Sequence, residues 1–201
     1  MASADTCTGA PAFTDVAASD FFCTNTEWMK NRGVTLGCGG TNYCPANLVT
    51  RGEMAAFMNR LGTALTPATT NTEDAPGSVD LDVESFHCVS PVVAAATYPR
   101  TALLNAHFSG LTSALAGYGV LIRFNTDGNA TTFPTPINSF FEVGGSPGAS
   151  WSHASTTARL DLAAGTTYRF AIRIIRTGAG TGDLTDSRCH LVQMLLNRNA
   201  T

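Results

Sequence analysis

The sequence predicts an α+β protein of two domains, a small helix-loop-helix module followed by an antiparallel β-sandwich of jelly-roll type. Within residues 1–65 the apolar positions recur every three or four residues, which is typical of helices. Within residues 83–201 they recur every second residue, which is typical of strands. The stretch 66–82 between them is mostly polar, contains two prolines and has no periodicity, so it is interpreted as a linker.

Two helices are predicted in the first domain. The first begins at Ser19, whose hydroxyl can cap it, and ends at Gly33, which accepts a left-handed backbone. Trp28 lies at an apolar position of this helix and is expected to anchor the core. The second helix begins at Thr50 and Glu53, which have the spacing of a capping box. It is predicted to end at Gly62, with one apolar stripe formed by Met54, Phe57, Met58 and Leu61.

The six cysteines predict a secreted protein, because disulfides persist in oxidising compartments. The expected pairing closes the loop between the helices, ties the leading segment to the first helix, and joins the first and last strands of the sandwich. Six reduced thiols or a four-thiolate zinc site are the alternatives, although the cysteines lack the spacing of zinc ribbons. The predicted pairs are Cys7–Cys23, Cys38–Cys44 and Cys88–Cys189.

Seven or eight strands are predicted in the second domain. The residues Tyr168, Phe170, Ile172 and Ile174 alternate with Arg169, Ala171, Arg173 and Ile175. Asp127-Gly128 and Ala164-Gly165 are turn signals. A series of short alternating segments without a helical window favours a sandwich with jelly-roll connections. The predicted strands are Val92–Tyr98, a segment around Leu104–Phe108, Tyr118–Phe124, Ile137–Val143, Trp151–Leu162, Tyr168–Ile175 and Cys189–Leu196.

Charge and hydropathy exclude several classes of partner. The chain has 12 Lys+Arg against 15 Asp+Glu and a formal net charge of −3, without a basic run, so nucleic acid is not an expected partner. No stretch approaches the roughly 20 apolar residues of a membrane helix. The segment Met1–Thr6 has neither the charged nor the apolar region of a signal peptide, so the protein is either cytosolic or a secreted form that lacks its leader. The cysteines favour export.

No catalytic motif stands out. The four histidines, all in the second domain, match no metal-binding pattern, and no Gly-x-Ser-x-Gly elbow is present. Asp80, Asp82 and their acidic neighbours are candidates for calcium or for a solvated linker. We therefore expect no enzyme activity, no metal and no cofactor. A less favoured hydrolase would need paired carboxylates from the set Glu84, Glu142, Asp161, Asp183 and Asp186.

Residues 13–62 resemble a single repeat of the S-layer homology family. The order and spacing of four sequence blocks carry the resemblance. These blocks are Phe13-Thr14-Asp15-Val16, Gly33-Val34-Thr35-Leu36-Gly37, Tyr43-Cys44-Pro45 and Val49-Thr50-Arg51-Gly52-Glu53-Met54.

The resemblance implies a module that binds cell-envelope polysaccharide and holds a secreted protein on the bacterial surface. The positions that would contact the ligand are Asp15, Phe21, Thr50, Arg51 and Glu53. A structural role is the alternative for each polar one: a turn cap for Asp15, the capping box alone for Thr50 and Glu53, and a solvated helix-start residue for Arg51. Because family members commonly combine three repeats and this chain has one, multivalency through a homo-oligomer is expected.

Residues 83–201 resemble, through the stretch Leu160–Arg173, the small secreted jelly rolls of the tumour-necrosis-factor and complement type. That resemblance implies trimers built by packing one sheet around an axis. The expected function is a non-catalytic, secreted cell-surface protein, extracellular or held on the bacterial envelope, that assembles into a surface layer, fibre or trimer. The alternative is an adhesin that bridges the cell wall and a glycan, with Trp151 and Tyr118 as candidate sugar-stacking side chains.

Overall fold

The computed structural model describes residues 6–112, 117–143, 150–177 and 183–197, with only the backbone described at 112, 138–143 and 150. The chain divides into two compact units, 1–67 with 97–99 and 197–201, and 68–96 with 100–196. The helices are α1 Cys23–Asn31 and α2 Arg51–Leu65, and the strands are β1 Ala68–Val79, β2 Ser85–His87, β3 Arg100–Thr112, β4 Tyr118–Asn125, β5 Thr135–Val143, β6 Ser150–Leu162, β7 Arg169–Arg176 and β8 Leu184–Asn197.

The second unit is an antiparallel β-sandwich. Sheet I has the strand order β1-β8-β3-β6, and sheet II has the order β2-β7-β4-β5. The first strand therefore lies beside the last, and each connection between successive strands crosses from one sheet to the other, except that from β4 to β5. This arrangement of eight strands is the jelly roll that the alternating pattern predicts.

The core of the sandwich lies between the two sheets. Phe108 of β3, Tyr118 of β4 and Phe170 of β7 are all fully buried. The rings of Phe108 and Tyr118 meet edge to face, 6.0 Å between centroids, which is a favoured aromatic geometry. The alternation along β7 places Phe170, Ile172 and Ile174 inward, as predicted.

The structure corrects the predicted linker at 66–82, because β1 occupies most of it. Its residues pair with β8 from Ala68 opposite Leu195 to Val79 opposite Leu184, with register shifts on either side of Gly77. As an edge strand β1 has one partner, and most of its side chains are exposed. Threonine-rich segments suit such half-solvated strands, so no apolar alternation marks this one.

A second correction concerns the start of the sandwich. The predicted strand Val92–Tyr98 forms only an isolated bridge between Val93 and Tyr168. Pro91 has no N–H to donate to a ladder, and Val93 is the buried residue of this segment. The short strand β2, which the sequence pattern does not predict, pairs with β7 instead.

The first unit begins with turns and not with a helix. The helix α1 starts at Cys23, four residues after the predicted cap Ser19, and its N-cap Phe22 makes no capping hydrogen bond. Upstream, Oδ2 of Asp20 accepts from the N–H of Ala17 at 2.8 Å, which stabilises a turn before the helix. The end of α1 is as predicted, with Gly33 at φ +68°.

The second helix has the predicted start and a later end. The hydroxyl of Thr50 accepts from the N–H of Glu53, and the carboxylate of Glu53 accepts from the N–H of Thr50, so the capping box is confirmed. The helix continues through Gly62 to Leu65. No helix in the described part of the chain is long and apolar enough to cross a membrane.

The core of the first unit is small. Phe13, Val16 and Cys23 are buried together, and the ring of Tyr43 lies 5.3 Å from that of Phe13. The expected core anchor Trp28 lies outside this cluster and is only partly buried. Its ring instead stacks with the guanidinium of Arg32, which lies 4.6 Å from the ring centroid.

Candidate functional site

The loop between the two helices is tightly constrained. A disulfide joins Cys38 to Cys44, and the N–H of Cys38 donates to the carbonyl of Asn42 at 3.0 Å. Gly37 has φ +77°, and a Cβ placed there would lie 2.2 Å from the carbonyl oxygen of Asn42. Only glycine fits this position, so the backbone of the loop is constrained here.

Asp15 holds this loop in place. Its Oδ1 accepts from the N–H of Tyr43 and its Oδ2 from the N–H of Cys44, both at 2.7 Å. These backbone hydrogen bonds, that from Tyr43 foremost, lower the pKa of the Asp15 carboxyl. The carboxylate therefore has a structural role, pinning a segment 28 residues away in the chain.

Thr50 and Glu53 are also engaged with each other. Oε2 of Glu53 accepts from the N–H and from the hydroxyl of Thr50, each at 2.8 Å. Both bonds lower the pKa of Glu53, with the backbone bond as the largest cause. The side chain of Glu53 thus remains ionised at the start of α2, where a negative charge is favoured by the helix dipole.

The remaining two predicted contact residues point to solvent. The Phe21 side chain is 72% exposed and touches Phe22 edge to face. Arg51 is exposed, and among the described residues it forms no salt bridge. A cavity of about 150 Å³ between the disulfide loop and the start of α2 includes Tyr43 and Glu53 in its lining, but not Asp15, Phe21 or Arg51. The structure therefore does not bring the five predicted residues into one pocket.

All three disulfides have the predicted pairing. Besides Cys38–Cys44, they are Cys7–Cys23 in the first unit and Cys88–Cys189 in the sandwich. Cys88 and Cys189 are both buried. Three disulfides and no free cysteine among the described residues indicate an oxidising, extracellular environment.

The structure does not favour the calcium alternative. Oδ1 of Asp80 accepts from the N–H of Asp82, the carboxylate of Asp82 pairs with Arg176 at 3.0 Å, and that of Glu84 pairs with Arg173 at 2.9 Å. Carboxylates neutralised by arginines make poor ligands for a hard cation.

The carboxylates considered for a hydrolase likewise form no catalytic pair among the described residues. Glu84 is paired with arginine, Asp161 accepts from the hydroxyl of Thr101 at 2.9 Å, and Asp183 and Asp186 are exposed. The side chain of Glu142 lies outside the described residues.

A feature that sequence reasoning missed lies on the outer face of sheet I, the face turned away from sheet II. It brings together His107 of β3, His153 of β6 and His190 of β8. Next to them is a cavity of about 480 Å³ whose lining includes Glu73 and Arg188. The histidines are visible in the sequence, but their common face depends on a strand order that the chain order does not reveal.

The same face continues into an apolar groove of about 460 Å³. Leu103 of β3 and Met194 of β8 are exposed there, with Val192 between them in partial burial. Trp151 of β6 is 53% exposed on this side of the sandwich. By contrast Tyr118, the other candidate for stacking on sugars, is fully buried, which corrects that prediction.

Tyr118 is buried because it contributes to the core. Its hydroxyl donates to the carbonyl of Ser152 at 3.2 Å, so the polar end of the ring is satisfied inside the sandwich. Burial raises the pKa of the phenol, partly offset by the Ser152 hydroxyl, which donates to the phenol oxygen at 3.4 Å.

The fold and its outer surfaces thus define a disulfide-bonded jelly roll joined to a small helical unit. No family model matches the chain, and no curated protein sequence matches it. Among solved structures it is similar to infectious bursal disease virus, Gx strain, at 11% identity and a TM-score of 0.37 over 68% of this chain. It spans 38% of that viral chain.

Two further structures are similar over more of their own length. The Eiger TNF from S. frugiperda is 13% identical, with a TM-score of 0.35 over 66% of this chain and 95% of that one. The tripod from the baseplate of bacteriophage Tuc2009 is 13% identical, with a TM-score of 0.38 over 94% of this chain and 98% of that one.

Proposed function

We propose that the protein is a non-catalytic, secreted component of a bacterial cell surface. In this proposal the β-sandwich mediates self-assembly into a layer, fibre or trimer. The helical unit docks to envelope polysaccharide or to neighbouring copies. The observation that carries the proposal is the apolar groove on the outer face of sheet I.

The groove has the composition of a protein interface. Its lining includes the apolar side chains of Leu103, Val192 and Met194 and the polar side chains of Asn105 and Arg159. Association surfaces combine apolar side chains, which lose water on binding, with polar side chains that remain hydrated. A second copy of the chain would supply the complementary apolar surface.

The helical unit also exposes several large apolar side chains that are not part of its small core. Leu48 is 95% exposed, Phe21 72% and Met58 61%. Large exposed apolar side chains concentrated in one small unit support docking to another surface. The resemblance of residues 13–62 to an S-layer homology repeat supports envelope polysaccharide as that surface, with Arg51 as the exposed cation for an anionic sugar.

The test is the mass of the assembly in solution, measured by light scattering coupled to size exclusion. We expect the wild-type protein to form a trimer or larger assembly and the variant Met194→Glu to be a monomer, since a buried unpaired carboxylate opposes association. Thr126→Glu adds the same charge to an exposed loop and is expected to leave the assembly unchanged. A monomeric wild-type protein, or an unchanged assembly in Met194→Glu, would refute the proposal.

A second candidate function, binding of a glycan by the sandwich, is supported by the exposed indole of Trp151. Aromatic faces stack on the apolar faces of sugars, and the polar cavity beside the histidines offers hydrogen-bonding partners on the same side of the sandwich. Fluorescence titration of the Trp28→Phe variant with envelope oligosaccharides isolates the signal of Trp151. Because Trp151→Ala lacks this reporter, its affinity is measured by calorimetry. Loss of binding in Trp151→Ala with retention in Trp28→Phe is the result that would favour this function.

A further inference from the structure

The three histidines on the outer face of sheet I occupy adjacent strands. In the order β8-β3-β6, His190, His107 and His153 come one from each strand. His153 pairs with Ser109, two residues after His107, so His107 and His153 are diagonal neighbours across the β3–β6 ladder. Side chains in that relation are within reach of each other.

The separation of His107 and His153 is close to that of two imidazoles on one metal ion. Their ring centroids are 5.8 Å apart and the rings are tilted by 28°. With metal–nitrogen bonds of about 2.0–2.1 Å at a tetrahedral angle, two bound imidazoles have centroids about 5.2 Å apart. The three histidines do not bring three nitrogens within 4.8 Å of one another in the described structure, so their side chains would have to move towards one another to bind one ion.

His190 has the outer partners that a metal-binding histidine uses. Its Nε2 donates to Oδ1 of Asn71, and Nε2 lies 3.7 Å from Oε1 of Glu73. The side-chain amide of Asn71 in turn donates to Glu73 at 3.1 Å. A histidine whose one ring nitrogen is held by such a network has its other nitrogen, here Nδ1, oriented and available as a ligand.

The surroundings of the three histidines also include negative charge. Glu73, Asp74 and Arg188 all line the cavity, so two carboxylates and one guanidinium border it besides the histidines. The cavity is open, so a fourth ligand position would be accessible to water or to a bound molecule.

We propose that His107, His153 and His190 bind one divalent transition-metal ion of the zinc class on the outer face of sheet I. Imidazole ligands suit Zn²⁺, Ni²⁺ and Cu²⁺ and are poor ligands for Ca²⁺ and Mg²⁺. This inference does not depend on self-assembly or on polysaccharide binding. It adds a site where the sequence motifs predicted no metal.

The experiment is a calorimetric titration of the purified full chain with ZnCl₂ at pH 7.5, after treatment with a chelator. We expect one Zn²⁺ per chain and a weakening of the affinity by at least about tenfold in His107→Ala, His153→Ala and His190→Ala. Ser155→Ala, on the same strand as His153 and also exposed, is the matched control and is expected to bind within about twofold of the wild-type protein.

Thermal unfolding with and without Zn²⁺ gives an independent measurement. The wild-type transition is expected to rise on the order of 5 °C at saturating Zn²⁺, and the histidine variants are expected not to respond. His153 is exposed, so His153→Ala keeps the test valid if a variant of a more buried histidine fails to fold. Absence of Zn²⁺ binding to the wild-type protein, unchanged affinity in His153→Ala, or an equal loss in Ser155→Ala would overturn the proposal.

Discussion

The disulfide between Cys88 and Cys189 closes nearly the whole sandwich, and its removal tests how much of the stability comes from that closure. The two cysteines are separated by 101 positions, and the closed loop contains β3 to β7. Replacing both with alanine, Cys88→Ala/Cys189→Ala, leaves the fold's other contacts in place but frees the unfolded chain.

The expected magnitude follows from the length of the loop. In the chain-entropy model a crosslink that closes a loop of about 100 residues stabilises the folded state by about 4.7 kcal/mol at 25 °C. For an m value of about 2 kcal/mol/M in urea, the midpoint of unfolding would fall by about 2 M. The m value itself should increase, because the unfolded chain without the crosslink exposes more surface.

The two tryptophans allow each unit to be followed separately. Trp28 lies in the first unit and Trp151 in the sandwich, and the chain has 2 Trp in all. In a Trp28→Phe background, fluorescence in urea reports the sandwich alone. The control is Cys38→Ala/Cys44→Ala in the same background, which removes a disulfide of the first unit and should leave the Trp151 transition unchanged.

Two outcomes would refute the reasoning. One is a loss of less than about 1 kcal/mol in Cys88→Ala/Cys189→Ala, which would mean that the unfolded chain is already compact without the crosslink. The other is an equal shift of the Trp151 transition in the Cys38→Ala/Cys44→Ala control.

Three further changes have defined expectations. Thr50→Ala removes the capping box of α2 and should cost about 1 kcal/mol in the unfolding of the first unit, followed by the fluorescence of Trp28; Thr50→Ser should retain most of it. Asp15→Asn should remove the stabilisation that comes from the lowered pKa of the Asp15 carboxyl. This stabilisation is present above the unfolded pKa of about 3.9 and is lost as pH falls through the lowered folded pKa. The urea midpoints of the variant and the wild-type protein should therefore differ at pH 7 and converge in acid. Phe108→Ala empties a fully buried site and should cost about 3–5 kcal/mol in urea unfolding of the sandwich, whereas a cost below about 1 kcal/mol would show that the core collapses into the space.

The sandwich could be predicted from sequence where burial produces a pattern. Strands such as β7 alternate because one face packs into the core, and the alternation of Phe170, Ile172 and Ile174 with Arg169 and Arg173 is visible in the chain. The strand β1 has no such signal. It is an edge strand held by backbone hydrogen bonds to β8, and such bonds do not depend on side-chain type.

The candidate site was harder to predict from the sequence, because its contacts join distant parts of the chain. The motif that contains Asp15 could be recognised, but its hydrogen bonds to Tyr43 and Cys44 depend on the folded loop. The surface formed by His107, His153 and His190 depends on sheet I having the order β8-β3-β6, which places distant segments side by side.

The pairing of β1 with β8 also determines where the sandwich can be joined to other chains. Ala68, where the sandwich starts, is directly opposite Leu195, near its end, and residues paired in this way lie about 5 Å apart. A domain whose entry and exit points are neighbours can be inserted into a surface loop of a host protein without stretching the host backbone. The sandwich therefore has the geometry of an insertable domain, with both of its attachment points at one place.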